Sequence, residues 1–437
     1  MSCEWETIKL RDCGQWLSGR TPSKKQPEYW DGNIPWVSPK DMGVFFIDDS
    51  QDHITRRAVD ESSLSVVPPN TILFVVRSMT LGHTFQIALA RREITFNQDL
   101  KAIRVHDEID PEFLFYAMRA RRAEILALVD EASHGTKRLR TDTLGDYEIP
   151  LPPLPLQKHL ANIAKTLDDK IDLNRKMNQT LEAMARAIFK SWFVDFDPVH
   201  VKQRGKQPTG LAPETADLFP SQLTDSKLGK IPQGWEVKPI KEVINITPRY
   251  KLSKGDTAPY LKMANAPEEG HYPHDWYDRE FNGSGSKFTN GDTLMAKITP
   301  CLENGKTAFV DFLPDDDTIG WGSTEYLVLR SREPYPLEYS YYLARSRRLR
   351  RISIKSMSGA SSRQRVSVRG FKKFKIVVPP PEIAQRFGEI ARDLMTKIRA
   401  NHKESRTLAN LRDVLLPKLL SGELIPDDIS SNRNSHE

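Results

Sequence analysis

The hydrophobic positions between Leu156 and Phe193 predict one long amphipathic helix. They recur in mostly alternating steps of three and four residues, the seam of a helix that pairs with another helix. No proline occurs between Pro155 and Pro198, so nothing forces a break. A helix of about 35 residues is about 50 Å long at about 1.5 Å per residue, which suits a spacer. The seam is Leu160, Ile163, Leu167, Ile171, Met177, Leu181, Met184 and Ile188.

The same pattern returns near the C-terminus in the same register. Lys170 and Asn174 match Lys397 and Asn401 at one constant separation along the chain, as do Ile171 and Leu181 with Ile398 and Leu408. Polar seam residues lower stability but fix register and partner. A surface helix packed on its own domain is the simpler interpretation of either pattern alone. Two copies in one register favour a mutual helix pair.

The segments between the helices are also duplicated. β-branched and apolar runs predict strands, and Pro111 and Pro336 each open a predicted helix. A proline-rich junction precedes each long helix. The chain is therefore one unit repeated, in the order domain, helix, domain, helix. The predicted strands are 71–76, 87–89, 100–105 and 147–149, then 260–263, 293–296, 325–329 and 374–378; the predicted short helices run from 112 to about 129 and from 336 to about 349.

These patterns predict an α+β fold with two tandem mixed α/β domains, separated by two long antiparallel coiled-coil helices and related by a pseudo-twofold axis. Twofold proteins read palindromic DNA, so two different readers would recognise two different half-sites at a fixed separation. The expected divisions are a first globular domain at 1–154, a long spacer helix at 155–193 and a linker at 194–229, then a second globular domain at 230–381, a second spacer helix at 382–421 and a disordered tail at 422–437.

Length and composition place few limits on the function. A chain of 437 residues with 38% hydrophobic and 28% charged residues predicts two to four globular domains. The net charge of +6 and a pI near 9.0 allow an anionic partner without requiring one. Three cysteines without CxxC spacing indicate a reducing cytosol. With neither a signal peptide nor an apolar run long enough for a membrane span, we expect a cytoplasmic protein.

A run of basic residues provides the first evidence for DNA. Twelve lysines and arginines lie between Arg345 and Lys375 with no Asp or Glu among them, and a weaker counterpart covers residues 133–140. Guanidinium groups, hydroxyls and backbone amides are what phosphate oxygens accept from. A solvated basic surface remains the alternative interpretation.

Other polar loops could reach base edges, where Arg pairs well with guanine and Asn or Gln with adenine, each worth about 1–3 kcal/mol of discrimination. The sequence does not say which residues do so. The candidate DNA-binding residues are Arg20, Thr21, Ser23, Arg77, Thr80, His83, Asn97, Gln98, Lys137, Arg138 and Arg140 in the first half, and Lys297, Thr299, Asn304, Ser323, Thr324, Ser361, Arg363 and Arg365 in the second.

Catalytic motifs are missing from the sequence. There is no Walker A loop, no dinucleotide fingerprint around Gly283 and no Asn/Asp-Pro-Pro-aromatic motif of amino-methyltransferases. His271 and His274 lack a cysteine or carboxylate at metal-ligand spacing, so we expect no metal site. We therefore predict no catalytic residue and no cofactor on this chain.

Several motifs resemble those of type I restriction–modification specificity (S) subunits, over nearly the whole chain. The second proline junction departs from the pattern, because Gln385 comes one place later than Gln157 does in the first. The motifs are SGRTPS at 18–23, YWDGNIPWVS at 29–38, IPLPPL at 149–154, IFKSWFVDF at 188–196 and GKIPQGW at 229–235.

The resemblance implies two target recognition domains, with the paired helices as a ruler between two half-sites. It implies a noncatalytic adaptor that binds double-stranded DNA and recruits two modification (methyltransferase) subunits, which carry S-adenosylmethionine and methylate adenine, and restriction subunits, which use ATP and Mg²⁺. The apolar helix ends exceed what one seam needs, so we expect Phe189, Trp192, Phe193, Leu416 and Leu419 to dock the modification subunits; simple self-packing is the alternative.

Two functions of other classes remain open from sequence alone. One is a self-contained DNA methyltransferase or nuclease, and the other is a coiled-coil scaffold that binds no nucleic acid.

Overall fold

The computed structural model describes residues 5–131, 136–359 and 363–424. The chain divides into two compact units. The first unit joins Met1–Ile171 to Arg406–Glu437, and the second is Asp172–Ser405. Each unit therefore contains one globular domain together with parts of both long helices.

The described residues of the first globular domain form short strands and four short helices. Its elements in chain order are β1 (Thr7–Lys9), β2 (Gly14–Ser18), β3 (Trp30–Val37), β4 (Phe46–Ile47), β5 (Asp52–Ile54), α1 (Arg56–Glu61), β6 (Ile72–Val75), β7 (Arg77–Ser78), β8 (Ile87–Ala90), β9 (Thr95–Phe96), β10 (Leu100–Val105), α2 (Pro111–Ala120), α3 (Arg122–Leu126), β11 (Val129–Glu131), β12 (Lys137–Leu139), α4 (Thr141–Gly145) and β13 (Glu148–Pro150).

The core of this domain lies around a five-stranded sheet in the order β2-β10-β6-β8-β4. Every residue of β6 is fully buried, as expected for a β-branched and apolar run in a central strand. A second sheet has the order β5-β3-β9, and a third has the order β11-β12-β7. The ribbon of β1 and β13 brings the start of the domain to the residues that precede the long helix.

The long helix and the segment after it come next in the chain. The helix α5 (Leu154–Phe193) is continuous, as the absence of proline predicted, and α6 (Asp197–Gln203), α7 (Pro213–Asp217) and the hairpin of β14 (Leu223–Ser226) and β15 (Gly229–Pro232) follow. Val199, Phe219 and Ile231 of this segment are buried in the core of the second unit. The segment predicted as a linker at 194–229 is therefore structured, because Pro198 and Pro213 start short helices.

The second globular domain repeats the same kinds of element. They are β16 (Glu236–Pro239), β17 (Ile244–Ile246), β18 (Thr257–Leu261), β19 (Tyr277–Glu280), β20 (Ser286–Phe288), β21 (Thr293–Ala296), β22 (Thr307–Phe309), β23 (Gly320–Gly322), β24 (Tyr326–Ser331), α8 (Leu337–Arg345), α9 (Arg347–Lys355), β25 (Met357–Ser358), β26 (Arg365–Val366), α10 (Val368–Phe371) and β27 (Lys375–Val378), and the second long helix α11 (Pro381–Leu420) follows.

The two domains share one topology, which confirms the predicted duplication. The sheet order β17-β24-β21-β22 repeats β2-β10-β6-β8, and the ribbon of β16 and β27 repeats that of β1 and β13. The parallel pair β18 and β23 likewise repeats the parallel pair β3 and β9.

Each short helix predicted as one element is two helices. At Arg121 the backbone leaves the helical region, and residues Val129–Glu131 pair with β12 as a strand. In the second domain Ser346 is extended, and its hydroxyl accepts a hydrogen bond from Leu349 N at 3.3 Å, which starts α9. A capping serine and the β11–β12 hairpin therefore override the continuous helix pattern.

The long helices run antiparallel within each unit. In the second unit, Asn174 Nδ2 donates to Glu404 Oε2 at 2.8 Å, and Asn401 Nδ2 donates to Asn178 Oδ1 at 2.8 Å. In the first unit, Leu160 of α5 shares a core with the Leu416–Leu420 end of α11. Asn174 and Asn401 are fully buried, so these two of the polar positions noted in the sequence lie on the seam, whereas Lys397 is exposed.

A glutamine side chain anchors the start of each long helix at the proline junction. Gln157 Nε2 donates to Pro152 O at 2.8 Å, and Gln385 Nε2 donates to Pro334 O at 3.2 Å. Both glutamines therefore anchor a long helix to a proline carbonyl, although Gln385 lies one place later.

Of the predicted tail 422–437, residues 425–437 lie outside the described ranges. None of the helices formed by the described residues combines the length and apolarity that a bilayer crossing requires.

A buried carboxylate ties three elements of the first unit together. Asp168 of α5 forms ion pairs with Arg119 of α2 and Arg412 of α11, and all three side chains are at most 8% exposed. The Phe45 ring lies 3.4 Å from the Arg119 guanidinium carbon, as a cation–π contact. One acid thus holds the globular domain and the end of α11 to the same turn of α5.

Replacing Asp168 by Asn should destabilise the first unit by about 3–5 kcal/mol, because it leaves the buried Arg119 guanidinium without a counter-charge and leaves Arg412 with only the half-exposed Asp413. The measurement is the free energy of unfolding from urea denaturation of the full chain. Asp169→Asn is the matched control: Asp169 is 45% exposed in its pairs with Arg91 and Lys165, so its loss should cost about 1 kcal/mol or less. Equal losses for the two variants would contradict this account.

A buried histidine ties the second domain to α5 within the second unit. His271 is fully buried, with Nδ1 3.4 Å from Glu182 Oε2 and Nε2 3.5 Å from Asp311 Oδ2. Tyr341 Oη donates to Glu182 Oε1 at 2.8 Å and accepts from Arg345 Nε at 3.1 Å. Burial alone disfavours the imidazolium, but the two carboxylates outweigh it and raise the pKa of His271 to about 9. The sequence suggested no partner for this histidine.

The second unit should therefore lose stability as pH rises from about 6.5 to about 9. The folded pKa of His271 lies above the unfolded one, so its contribution is complete below pH 6.5 and disappears above pH 9, a loss of about 3 kcal/mol. Urea denaturation at several pH values measures this slope, which His271→Gln should abolish.

His402→Gln should keep that slope. Burial lowers the pKa of His402 to about 4, so this neighbouring ring is neutral throughout the window. A slope that survives in His271→Gln would assign the effect to another group.

Candidate DNA interface

Strand pairing brings four of the predicted DNA-binding residues of the first domain to one place. In the β7–β12 pair, Arg77 lies opposite Arg138 and Ser78 lies opposite Lys137. The Arg77 N–H donates to Asp99 O at 3.3 Å, which joins this pair to the turn that contains Gln98. Arg77, Gln98 and Arg138 are exposed, so they offer basic and amide groups along one edge of the domain.

The loop after β2 joins the same edge. Thr21 Oγ1 donates to Gln98 Oε1 at 2.6 Å, and Arg20 N donates to Phe96 O at 3.0 Å. Asn97 differs from its neighbours, because it is 6% exposed and both of its amide atoms bind Asp99 at 3.1 Å. Its prediction as a base-reading residue was therefore wrong: Asn97 shapes the turn and presents no amide to the surface.

The remaining candidates of the first domain flank this edge. Thr80 lies in the 3₁₀ turn after β7, where its hydroxyl donates to Gln86 Oε1 at 2.7 Å, and His83 ends that turn. Ser23 Oγ accepts from Lys25 N at 3.3 Å in the loop that follows Thr21. Arg140 is exposed and directly precedes α4.

The second domain builds the same edge from different residues. Ile298 bridges to Arg365, and the flanking Thr299 N donates to Gln364 O at 3.1 Å. Lys297 N donates to Glu325 O at 3.0 Å, as Val76 N does to Asp99 O at 2.9 Å in the first domain. Lys297, Thr299 and Arg365 therefore lie together beside the turn that contains Glu325.

Ser323 and Thr324 form the start of that turn. Ser323 Oγ accepts from Glu325 N at 3.2 Å, which leaves the exposed Thr324 at the tip. Asn304 lies in the turn after β21, where its amide donates to Glu268 Oε1 at 3.1 Å. Ser361 lies outside the described residues, and Arg363 is exposed.

Arg365 forms a two-pronged ion pair with Glu325. Nε donates to Oε1 at 2.9 Å and to Oε2 at 3.0 Å, and Nη2 donates to Oε1 at 2.7 Å. These hydrogen bonds hold the pKa of Glu325 below its usual value. Part of the positive charge assigned to this edge from sequence is therefore neutralised by an acid that the sequence analysis missed.

Two residues of the basic run that suggested DNA donate to backbone carbonyls inside the domain: Arg345, and Arg350, whose Nη2 donates to Glu303 O at 2.7 Å. Arg345 is 9% exposed and donates to the backbone carbonyls of Gly305 and Thr307 at 3.0 and 2.9 Å. It therefore stabilises loops inside the domain instead of facing solvent. Arg347, Arg348, Arg351, Lys355, Arg363, Arg365, Arg369, Lys372, Lys373 and Lys375 are exposed.

The five residues predicted to dock partners are all buried in the chain itself. Phe189, Trp192 and Phe193 belong to the core of the second unit, where the Phe189 ring lies 5.6 Å from that of Tyr339. Leu416 and Leu419 belong to the core of the first unit. Self-packing, the alternative that the sequence left open, accounts for these side chains, so the docking prediction was wrong for this set.

The described residues contain no group of three or more His, Cys, Asp and Glu side chains arranged to hold a metal ion. Networks of buried charges instead surround Asp168 and His271. Their partners are 49 and 89 residues away along the chain for the pairs Arg119–Asp168 and Glu182–His271, which is why no local motif indicated them.

Comparison with known proteins identifies the two halves as copies of one kind of domain. The family model for the type I restriction modification DNA specificity domain matches residues 3–183 and 232–410. The chain is similar to the type I restriction enzyme MjaIX specificity subunit of Methanocaldococcus jannaschii, with 27% identity over 447 aligned residues that cover 98% of this chain and 95% of that one.

Two further relatives agree with this result. The specificity subunit of the type I restriction enzyme EcoR124I/EcoR124II of Escherichia coli is 36% identical over 166 residues, which cover 38% of this chain and 41% of that one. The crystal structure of a type I restriction–modification S subunit from M. genitalium has the same fold, with a TM-score of 0.55 and 16% identity over 95% of this chain and 96% of that one. Because the family model covers most of both halves, the chain belongs to the family of type I restriction–modification DNA specificity subunits.

Proposed function

We propose that this chain is the noncatalytic DNA specificity subunit of a type I restriction–modification complex and that it reads an asymmetric bipartite site. Each globular domain reads one half-site, and the lengths of α5 and α11 set the spacer between them. The chain recruits two modification subunits and the ATP-dependent restriction subunits, and it acts in the cytoplasm.

One observation supports this proposal: the two domains have an exposed edge with the same backbone pairing but with different polar side chains. In the first domain the edge carries Arg77, Arg138 and Gln98, and in the second it carries Lys297 and the Arg365–Glu325 pair. A common backbone with different polar groups is what two readers of different short sequences need, because base edges are distinguished by donor and acceptor patterns.

The division of labour in the complex follows from the same proposal. S-adenosylmethionine, ATP and Mg²⁺ belong to the partner subunits, and this chain holds no cofactor. Since the five apolar residues first considered for docking are buried, we assign docking of the modification subunits to the long helices, whose exposed apolar side chains are Leu173, Met184, Ile390, Leu411 and Val414.

Replacing Arg138 by Ala should weaken DNA binding by the full chain. The sequence preference should change at one base pair at most. If Arg138 contacts one phosphate, the slope of log K against log salt should become shallower by about 0.9. Fluorescence anisotropy with a labelled duplex at several salt concentrations measures both effects.

Arg56→Ala is the matched control for this experiment. Arg56 is 69% exposed on α1, 3.8 Å from Asp60, and is not part of the edge. It should bind DNA as the wild type does. Equal weakening in the two variants would show a non-specific effect of charge and would contradict the assigned edge.

The role of the long helices can be tested by lengthening both of them. Inserting one helical turn, about 5.4 Å, into each of α5 and α11 should lengthen the preferred spacer by one or two base pairs, at about 3.4 Å per base pair. Selection from duplexes with varied spacers measures the preference.

The control places the same insertion in the turn at Gly205, between α6 and α7, where the positive φ of 68° marks a tight turn outside the helices. That variant should keep the original spacer. A spacer that stays unchanged after both helices are lengthened would exclude the ruler.

A further inference from the structure

Both the backbone and the side chain of Arg365 are held in place by neighbouring residues. Its backbone lies in β26, which pairs with β25 and bridges to Ile298, so the strand is fixed from both sides. Its guanidinium group is then fixed by three hydrogen bonds to the two oxygens of Glu325. A long, 46% exposed side chain is thereby confined to one plane.

Glu325 is itself a rigid support. Its N–H donates to Ser323 Oγ at 3.2 Å, and its carbonyl oxygen accepts from Lys297 N at 3.0 Å. Only 21% of its side chain is exposed, compared with 46% for Arg365. The acid therefore lies beneath the arginine, and the arginine is the outer group of the pair.

The pairing leaves one edge of the guanidinium group available. Glu325 takes the Nε–Nη2 edge, and among the described residues no acceptor lies within hydrogen-bond distance of Nη1. Nη1 and the second hydrogen of Nη2 form two parallel donors, a fork that matches two adjacent acceptors.

We propose that Arg365, positioned by Glu325, reads a guanine in the half-site of the second domain; this inference rests on the proposed function. Guanine presents two neighbouring acceptors, O6 and N7, in the major groove. Adenine places a donor beside N7, cytosine presents a donor, and thymine has one acceptor beside a methyl group. A fixed two-donor fork therefore fits guanine and is mismatched to the other three bases.

The described residues of the first domain contain no arginine that is oriented by an acid in this way. Arg138 holds the strand position equivalent to Arg365, and Asp99 holds the turn position equivalent to Glu325. There the Asp99 carboxylate accepts from Asn97 Nδ2, and within the described ranges it forms no ion pair with Arg138. The same backbone thus carries an oriented arginine in one domain only, which gives the two domains different specificities.

Selection by the full-length chain from a library of randomised duplexes, followed by sequencing, tests the assignment. The wild type should select a bipartite site with a guanine in one half-site. Arg365→Lys keeps the positive charge but loses the planar fork, so preference for that guanine should fall about 5–150-fold, with total affinity nearly unchanged.

Glu325→Gln tests the positioning role. It should lower preference for the same guanine, while total affinity for DNA stays equal or rises because a negative charge near the phosphates is removed. A purely structural ion pair would instead lower the melting temperature and affinity together and leave the preference intact.

Arg363→Ala is the matched control. It removes an exposed arginine two residues away, for which the described part of the chain provides no acidic partner. It should weaken binding to all sequences equally and leave every base preference unchanged.

The possible outcomes distinguish a failure of this inference from a failure of the proposed function. A wild type that selects no site would overturn both. A wild type that selects a site, with Arg365→Lys leaving the preference at every position as it was or altering only an A·T pair, would overturn the guanine assignment alone. An intact guanine preference in Glu325→Gln would overturn the positioning role of Glu325.

Discussion

The buried polar contacts along α5 and α11 are the constraint on which each unit depends. A purely apolar seam of leucines and isoleucines would tolerate sliding by one turn, whereas buried polar groups must meet specific partners. Asn174 and Asn401 satisfy this requirement in the second unit, and Asp168 satisfies it in the first. The polar groups therefore set the register, and the apolar side chains around them provide most of the burial.

The same contacts position the edges that we assign to DNA. In the first unit Asp168 connects α5 to α2 through Arg119, and in the second Glu182 connects α5 to the globular domain through His271 and Tyr341. Each globular domain is thus attached to a rigid helix by charged groups that would be costly to separate. Such an attachment would keep each DNA-recognition domain at a fixed position on the long helix that we propose as the spacer.

Duplication explains how one fold can carry two specificities. The sheets, the ribbons and the strand pairs beside the polar turns recur in both domains, so the backbone of the edge is common. Side chains on that backbone are exposed and contribute little to folding, so they can differ freely. At equivalent places the first domain has Arg138, with no acidic partner among the described residues, and the second has Arg365 bound to Glu325.

The sequence by itself determined the order of elements, the duplication and the family. Helix periodicity, β-branched runs and proline junctions are local patterns, so α5, β6, β10 and β21 could be predicted close to their observed bounds. Basic residues could also be assigned to a surface that suits DNA.

Only the tertiary structure decided which of those groups are available. Arg365 meets an acid 40 residues away, Arg345 meets carbonyls of remote loops, and Phe189 and Trp192 enter a core formed with distant aromatic rings. The prediction of continuous short helices failed for a more local reason, because Val129–Glu131 form a hairpin with the nearby Lys137–Leu139 and Ser346 caps a new helix. Local periodicity reports which face of an element is apolar, but the partner of a buried or paired group depends on which distant segments the fold brings together.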